Sequence, residues 1–251
     1  MALMEFLKAN KLNTTTMLVV PPANTGTQAF LFDRNVRLGF TSVNYDSTTA
    51  AVISVVFGQP TVLSNILLQN HNLRQFRVYY DSVTANSLGV VTGNSATSTY
   101  LSFASVTVSS VDIQMDNTIA GSVDKALGEL VLTERRLQLE RNPGHGDWKP
   151  ILYRKKIRHE MPDGGTKQLI IRDKFRAKLE WEFVTNSFRE SLLSVYEDGS
   201  PVYFAAYPTT TGWDGRAYEV NWTSDWDFSY SSNNKDSGQG GSIFLEETPS
   251  A

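Results

Sequence analysis

Runs of apolar residues separated by polar, glycine-bearing stretches organise the first half of the chain. Ala51-Val52-Ile53-Ser54-Val55-Val56-Phe57 is rich in β-branched residues and is expected to stop at Gly58-Gln59-Pro60. Ile66-Leu67-Leu68, Phe76-Arg77-Val78-Tyr79-Tyr80 and Tyr100-Leu101-Ser102-Phe103 repeat the style. Val106-Thr107-Val108 and Val111-Asp112-Ile113-Gln114-Met115 alternate cleanly, as a half-buried strand must. The polar stretches Asn86-Ser87-Leu88-Gly89 and Thr92-Gly93-Asn94-Ser95 predict turns. No amphipathic helix of useful length precedes residue 122. Many short strands with such turns predict a β-sandwich or barrel.

The second half also reads as mainly β, with one helix. Phe175, Ala177, Leu179, Trp181 and Phe183 share one strand face, and Arg176, Lys178, Glu180 and Glu182 share the other. Ser187-Phe188-Arg189-Glu190 has the form of a capping box, which starts a helix over residues 188–197. Phe188, Leu192, Val195 and Tyr196 recur at helical spacing, and Gly199 supplies the stop. A long strand is expected from Tyr218 to Tyr230, with Val220, Trp222, Trp226 and Phe228 on its dry face and Glu219, Asn221, Thr223, Asp225 and Asp227 opposite. The Ser/Asn/Gly-rich stretch 231–241 predicts a loop, followed by a short strand over 242–245. The fold class is therefore all-β with one short helix. The expected organisation is an N-terminal arm (1–27), a jelly-roll β-sandwich (28–134) and a second β-rich domain (135–251).

Charge sharpens this division. Residues 135–180 carry 13 Lys/Arg against 6 Asp/Glu, a net +7, whereas residues 181–251 carry 3 against 11, a net −8. Such a split fits opposite charges meeting within one fold, subunits docking basic surface against acidic surface, or binding of nucleic acid. Nucleic acid is the least favoured, because the run Arg154-Lys155-Lys156-Ile157-Arg158-His159 lacks interleaved aromatic residues; a strand edge or subunit contact suits it better. The chain has no cysteine, which excludes disulfides, thiolate zinc sites and cysteine nucleophiles and suits assembly in a reducing cytoplasm. The first twelve residues do not read as a signal peptide, and no run reaches the roughly 18 apolar residues of a membrane span, so a soluble protein is expected.

Two resemblances follow from these patterns. Thr41-Ser42-Val43, the Val52–Phe57 run and Gly58-Gln59-Pro60-Thr61-Val62-Leu63-Ser64-Asn65-Ile66-Leu67-Leu68 resemble the opening of a discoidin-type, galactose-binding-like jelly roll. Gln69-Asn70-His71-Asn72-Leu73 before Phe76-Arg77-Val78-Tyr79-Tyr80 resembles the versions found in phage tail proteins. The cysteine pair common in extracellular discoidin domains is missing, which points away from secreted adhesion. The second half is similar in style to the tail-tube-like domains of phage distal-tail and baseplate hub proteins, where strands from several copies close a ring. Together these resemblances imply a virion tail or baseplate protein, assembled in the bacterial cytoplasm. Its implied partners are its own copies, in a hexameric or trimeric ring, and other tail proteins. The alternative is a carbohydrate-binding or receptor-binding module that recognises a host glycan.

Catalytic chemistry has little support. His71, His145 and His159 are too few and too scattered for a histidine metal site, and His71 is expected to be structural, with its ring bonded to nearby backbone. Nucleophile-elbow, zincin and P-loop patterns are absent. Glu180 with Glu182, and Asp225 with Asp227, are the carboxylate pairs a glycosidase would need. Alternation with aromatic residues places them on a solvated face, away from the apolar pocket that raises an acid's pKa. Trp222, Trp226, Phe228 and Tyr230 read as core rather than as a sugar platform, leaving Tyr45, Trp148 and Trp213 as aromatic ligand candidates. Asp33, Asp46 and Asp81 are the carboxylates available for a structural calcium of the jelly roll, but nothing in the sequence brings them to one point. The expectation is no catalytic residue, no metal and no cofactor.

Overall fold

The computed structural model describes every residue except 1, 14–15, 22, 36–37, 43–48, 122, 145–146, 162–164, 210–215, 231–238 and 249–251. The described elements are β1 (Glu5–Leu7), β2 (Met17–Val19), β3 (Ala23–Thr25), a 3-10 turn (Gln28–Leu31), β4 (Phe40–Ser42), β5 (Ala51–His71), β6 (Leu73–Tyr80), β7 (Val83–Val91) and β8 (Ser98–Thr118). They continue with β9 (Ala126–Thr133), β10 (Arg135–Gln138), β11 (Trp148–Glu160), β12 (Thr166–Val184), α1 (Asn186–Asp198), β13 (Val202–Ala205), β14 (Ala217–Trp222), β15 (Phe228–Tyr230) and β16 (Gln239–Glu247). The protein is thus mainly β with one helix, and every strand pairing described is antiparallel.

Two compact units divide the chain. The first takes Met1–Gln138 and a returning segment, Tyr203–Ala217; the second takes Leu139–Val202 and Tyr218–Pro249. Residues 1–27 contribute β1, β2 and β3 to the first unit.

In the first unit the main sheet runs β3-β4-β9-β5-β8-β6-β7, with β2 also paired to β5. Its buried apolar residues come from β2, β4 to β9 and the 3-10 turn, with Leu12, and include Phe40, Ile53, Ile66, Leu68, Phe76, Val91, Ile113 and Leu130. Residues 63–69 of β5 are buried without interruption, because both faces of the strand are covered. Ile66 and Leu68 enter the main core, whereas Leu67 joins a second cluster with Leu7, Tyr100, Val131 and Tyr203. That second cluster sits under β1, which pairs with β10 on one side and β13 on the other.

Polar residues on this second face are fully partnered, as burial requires. The Glu5 carboxylate is 3% exposed and accepts from the Tyr100 hydroxyl, from Arg135 Nε at 3.1 Å and from Gln138 Nε2 at 2.8 Å. Asn65 Nδ2 donates to the Tyr100 oxygen at 2.7 Å. Buried Glu129 accepts from Gln69 Nε2 at 3.2 Å and from the Tyr203 hydroxyl at 3.3 Å, while Gln69 Oε1 accepts from the Ala217 amide at 3.0 Å. The returning segment is therefore held by side chains from β5 and β9.

Several local expectations change. The 51–57 strand does not stop at Gly58-Gln59-Pro60: β5 continues through it, and the pairing with β8 is interrupted between Val56 and Thr61 instead. These residues are solvent-exposed, so Pro60 sits where no ladder amide is needed. Asn86-Ser87-Leu88-Gly89 is not a turn but part of β7, paired with β6. Thr92–Ser95 does connect β7 to β8.

The second unit carries the sheet order β14-β16-β12-β11, with β15 also on β16. Phe175, Ala177, Leu179 and Trp181 are buried as their alternation predicts, but Phe183 is 53% exposed. The pairing with β16 shifts between Trp181 and Val184, and Val184 is buried in Phe183's stead. Helix α1 starts earlier than the Ser187 box predicts: Thr185 is the N-cap and accepts from the Phe188 amide at 3.1 Å. Gly199, with φ 63°, ends it in the left-handed conformation. The expected 218–230 strand is two strands, β14 and β15, separated by irregular residues 223–227. The predicted loop 231–241 falls outside the described residues except at 239–241, which already belong to β16.

Candidate functional site

The β11–β12 hairpin carries many exposed residues of the second unit. The two strands pair from Trp148↔Leu179 to Glu160↔Thr166, with one register shift between Lys155 and Lys156, and Met161 N donates to Gly165 O at 2.7 Å across the tip. Near its base β12 lies over the core. Farther out, among the described residues, Ile151, Leu152, Tyr153 and Ile157 are exposed, Leu152 to 67%. Strand β11 pairs with β12 and with no other described strand, so among the described residues it is an edge strand. A long edge strand carrying large apolar side chains is a template for pairing with another chain.

Charge adds direction to this edge. Residues 148–174 carry 8 Lys/Arg against 3 Asp/Glu. Strand β11 contributes Arg154, Lys156 and Arg158, all exposed, with His159 beside them. Arg176 spans the ribbon base, its guanidinium 4.5 Å from the Tyr153 ring and 3.1 Å from the Glu246 carboxylate. Lys174 also pairs with Glu246, and these cations hold that carboxyl below its usual range.

A second feature of this unit is an aromatic cluster between α1 and residues 222–228. Tyr196 lies 5.4 Å from Trp222 and 5.5 Å from Trp226, and Trp226 stacks on Phe228 at 4.6 Å. Arg189 sits over Trp226 at 5.4 Å. Phe228 is buried, as expected, whereas Trp222, Trp226 and Tyr196 are only half-buried. Asp225 and Asp227 flank this cluster, exposed, in the irregular segment rather than on a strand. The other carboxylate pair, Glu180 and Glu182, lies on the wet face of β12. Lys178 donates to Glu180 at 2.7 Å and lowers its pKa, the opposite of what a general acid requires.

In the first unit, the outer face of β6 and β8 forms a polar ladder. Arg77 pairs with Asp116 at 3.5 Å, Gln114 Nε2 donates to Asp116 at 2.7 Å, and Asn117 Nδ2 donates to Gln75 at 3.2 Å. Tyr79 stands opposite Asp112; partial burial, then that negative charge, push the phenol pKa up. Amide, carboxylate and guanidinium groups beside a ring are the chemistry that recognises hydroxyl-rich ligands.

The remaining candidates divide. His71 is buried, its Nδ1 accepting from the Leu73 amide at 3.1 Å and its Nε2 within 2.9 Å of Thr99 Oγ1. Burial lowers its pKa to about 4, so it is neutral. Asp33 accepts from the Asn35 amide within its own turn at 2.8 Å, and Asp81, between β6 and β7, accepts from the Ser109 and Ser110 amides of β8 at 2.7 and 3.0 Å. Trp148 packs near Phe175 at 6.4 Å. Tyr45, Asp46, His145 and Trp213 lie outside the described residues. Among the described residues, no three His, Asp or Glu side chains gather closely enough to hold a metal ion, and no helix is long and apolar enough to cross a membrane. Sequence reasoning missed the exposed apolar residues of the hairpin. Their signal is Ile151-Leu152-Tyr153, three consecutive apolar residues that must put large groups on both faces of one strand.

No protein-family model and no curated protein matches the chain. Among solved structures it is similar to a chitosan-binding module of a chitosanase/glucanase from Paenibacillus sp. IK-5, at 15% identity and a TM-score of 0.42, covering 50% of this chain and 98% of that one. It is similar to CpGH89CBM32-5 from Clostridium perfringens, in complex with GalNAc-β-1,3-galactose, at 12% identity and a TM-score of 0.39, covering 47% and 94%. It is also similar to SpGH29, at 16% identity and a TM-score of 0.40, covering 48% of this chain and 27% of that longer one. The likeness is one of fold over about half the chain, and the ligands named belong to those proteins.

Proposed function

We propose that this chain is a non-catalytic structural protein that assembles with its own copies through the β11–β12 hairpin. Its setting in this reading is a bacteriophage tail or baseplate, as a hexameric or trimeric ring that also holds other tail proteins. The observation that supports it is the exposed ribbon, whose strand β11 pairs with no described strand but β12 and whose Leu152 and Ile157 are exposed. A neighbouring copy laid against the ribbon would remove this apolar area from water at about 25 cal/mol per Å². Light scattering on the purified full-length protein tests this. Wild type is expected to run as a defined oligomer, and Leu152→Lys with Ile157→Lys is expected to give a folded monomer. A wild type that stays monomeric at every concentration and ignores tail proteins overturns the proposal.

The polar ladder of the first unit supports a second reading, carbohydrate binding. Gln75, Arg77, Tyr79, Gln114 and Asp116 would engage hydroxyls, with the Tyr79 ring packing against a sugar face. A glycan array is the direct test: a signal lost in Arg77→Ala and Tyr79→Ala supports this reading, and the absence of any retained glycan removes it.

A further inference from the structure

Two basic hairpins laid edge to edge would set like charges face to face, which weakens association and rejects the pairing. The strand of an arriving copy therefore needs an acidic surface, and residues 181–251, with 11 Asp/Glu against 3 Lys/Arg, contain one. Within the second unit this charge coincides with incompletely covered rings between α1 and residues 222–227. Tyr196, Trp222 and Trp226 touch one another, stay half-buried, and are flanked by the exposed carboxylates of Asp225 and Asp227. The cluster already holds one guanidinium, that of Arg189 over Trp226. Rings beside carboxylates bind cations twice over, through the π-face and through charge.

We propose that this aromatic, acidic face receives the basic β11 strand of a neighbouring copy, with Lys156 and Arg158 as the side chains that dock. The inference rests on the hairpin assembly proposed above and adds the surface on the other partner. Lys156 and Arg158 are two residues apart, so they project from the same side of the strand and reach the surface together. The contact is heterologous, hairpin of one copy to face of the next. Such a contact closes into a ring when its rotation divides a full turn.

Charge exchange in the full-length protein tests it. Asp225→Lys with Asp227→Lys is expected to weaken self-association by about tenfold or more, as like charges across an interface do. Lys156→Glu with Arg158→Glu is expected to do the same. Mixing the two folded variants, or combining all four substitutions in one chain, is expected to restore assembly. Should the Asp→Lys pair lose its circular-dichroism signature, Asp225→Asn with Asp227→Asn replaces it, and weaker association with a flatter salt dependence is then expected. If Asp225→Lys with Asp227→Lys assembles as wild type does while Leu152→Lys with Ile157→Lys stays monomeric, this docking face is wrong and the hairpin reading stands. A lack of restoration in the fourfold variant likewise overturns it. A wild type that never self-associates removes both.

Discussion

Glu5 and Tyr100, 95 positions apart, share a buried hydrogen bond in which the phenol donates to the carboxylate. The bond joins β1 to β8 and raises the phenol pKa, first through burial and then through the charge of Glu5. Tyr100 is thereby kept protonated, and Glu5 collects donors from Arg135 and Gln138 as well. Glu5→Ala strands three donors in a closed space and is expected to cost about 3 kcal/mol in urea unfolding. Tyr100→Phe removes one donor and the acceptor of Asn65, and about 1–2 kcal/mol is expected. A Glu5→Ala loss smaller than that of Tyr100→Phe would show that the carboxylate is not the hub.

His71 sets an acid limit on the first unit. Its folded pKa, lowered to about 4 by burial, lies below the 6.5 of the free side chain, so the unfolded chain binds the proton more readily. Its contribution is fully present above pH 6.5 and is lost as pH falls from there toward 4. The loss amounts to about 3 kcal/mol over that window. His71→Gln should flatten the stability profile between these pH values, measured by denaturant midpoints, and an unchanged slope would contradict the assignment.

Glu246 acts in the same direction at lower pH. Lys174 and Arg176 depress its pKa, so its contribution is present above the ordinary carboxylate range and disappears as pH drops through the folded value. Glu246→Gln is expected to cost about 1 kcal/mol at neutral pH, because the pairs are partly exposed. The variant should also lose less stability than wild type on acidification.

The helix start gives a discriminating pair of substitutions. Thr185→Ala removes the side chain that caps the Phe188 amide, and about 1 kcal/mol is expected. Ser187→Ala should stay within about 0.5 kcal/mol, since Ser187 is an exposed residue inside the helix. Equal costs would restore the capping box that the sequence suggests.

Most strands were legible, and the misses share a cause. Alternation identifies a strand wherever one face is wet, as at Phe175, Ala177, Leu179 and Trp181. It breaks where a sheet irregularity intervenes: the shift between Trp181 and Val184 turns Phe183 outward, and the gap between Val56 and Thr61 lets β5 pass a Gly-Gln-Pro sequence that ordinarily ends a strand. Irregularities of this kind arise from pairing partners distant in sequence, which periodicity does not see. The exposed apolar residues of the hairpin escaped for another reason. A basic, β-branched strand looks the same whether it covers a core or projects into solvent, and only the burial of Ile151, Leu152 and Tyr153 distinguishes the two. The aromatic segment 222–228 was read as core because period two demands it; the break after Trp222 leaves its indole and that of Trp226 part-covered.

The return of residues 203–217 to the first unit fixes an order of events during synthesis. Strand β1 takes β13 as one of its two neighbours, and Gln69 waits for the amide of Ala217. A ribosome that has released only the first 138 residues has made a unit with one bare flank. Until some 65 more residues emerge, that flank offers Phe6 and Leu7 an unmatched edge at which nascent chains can stick together.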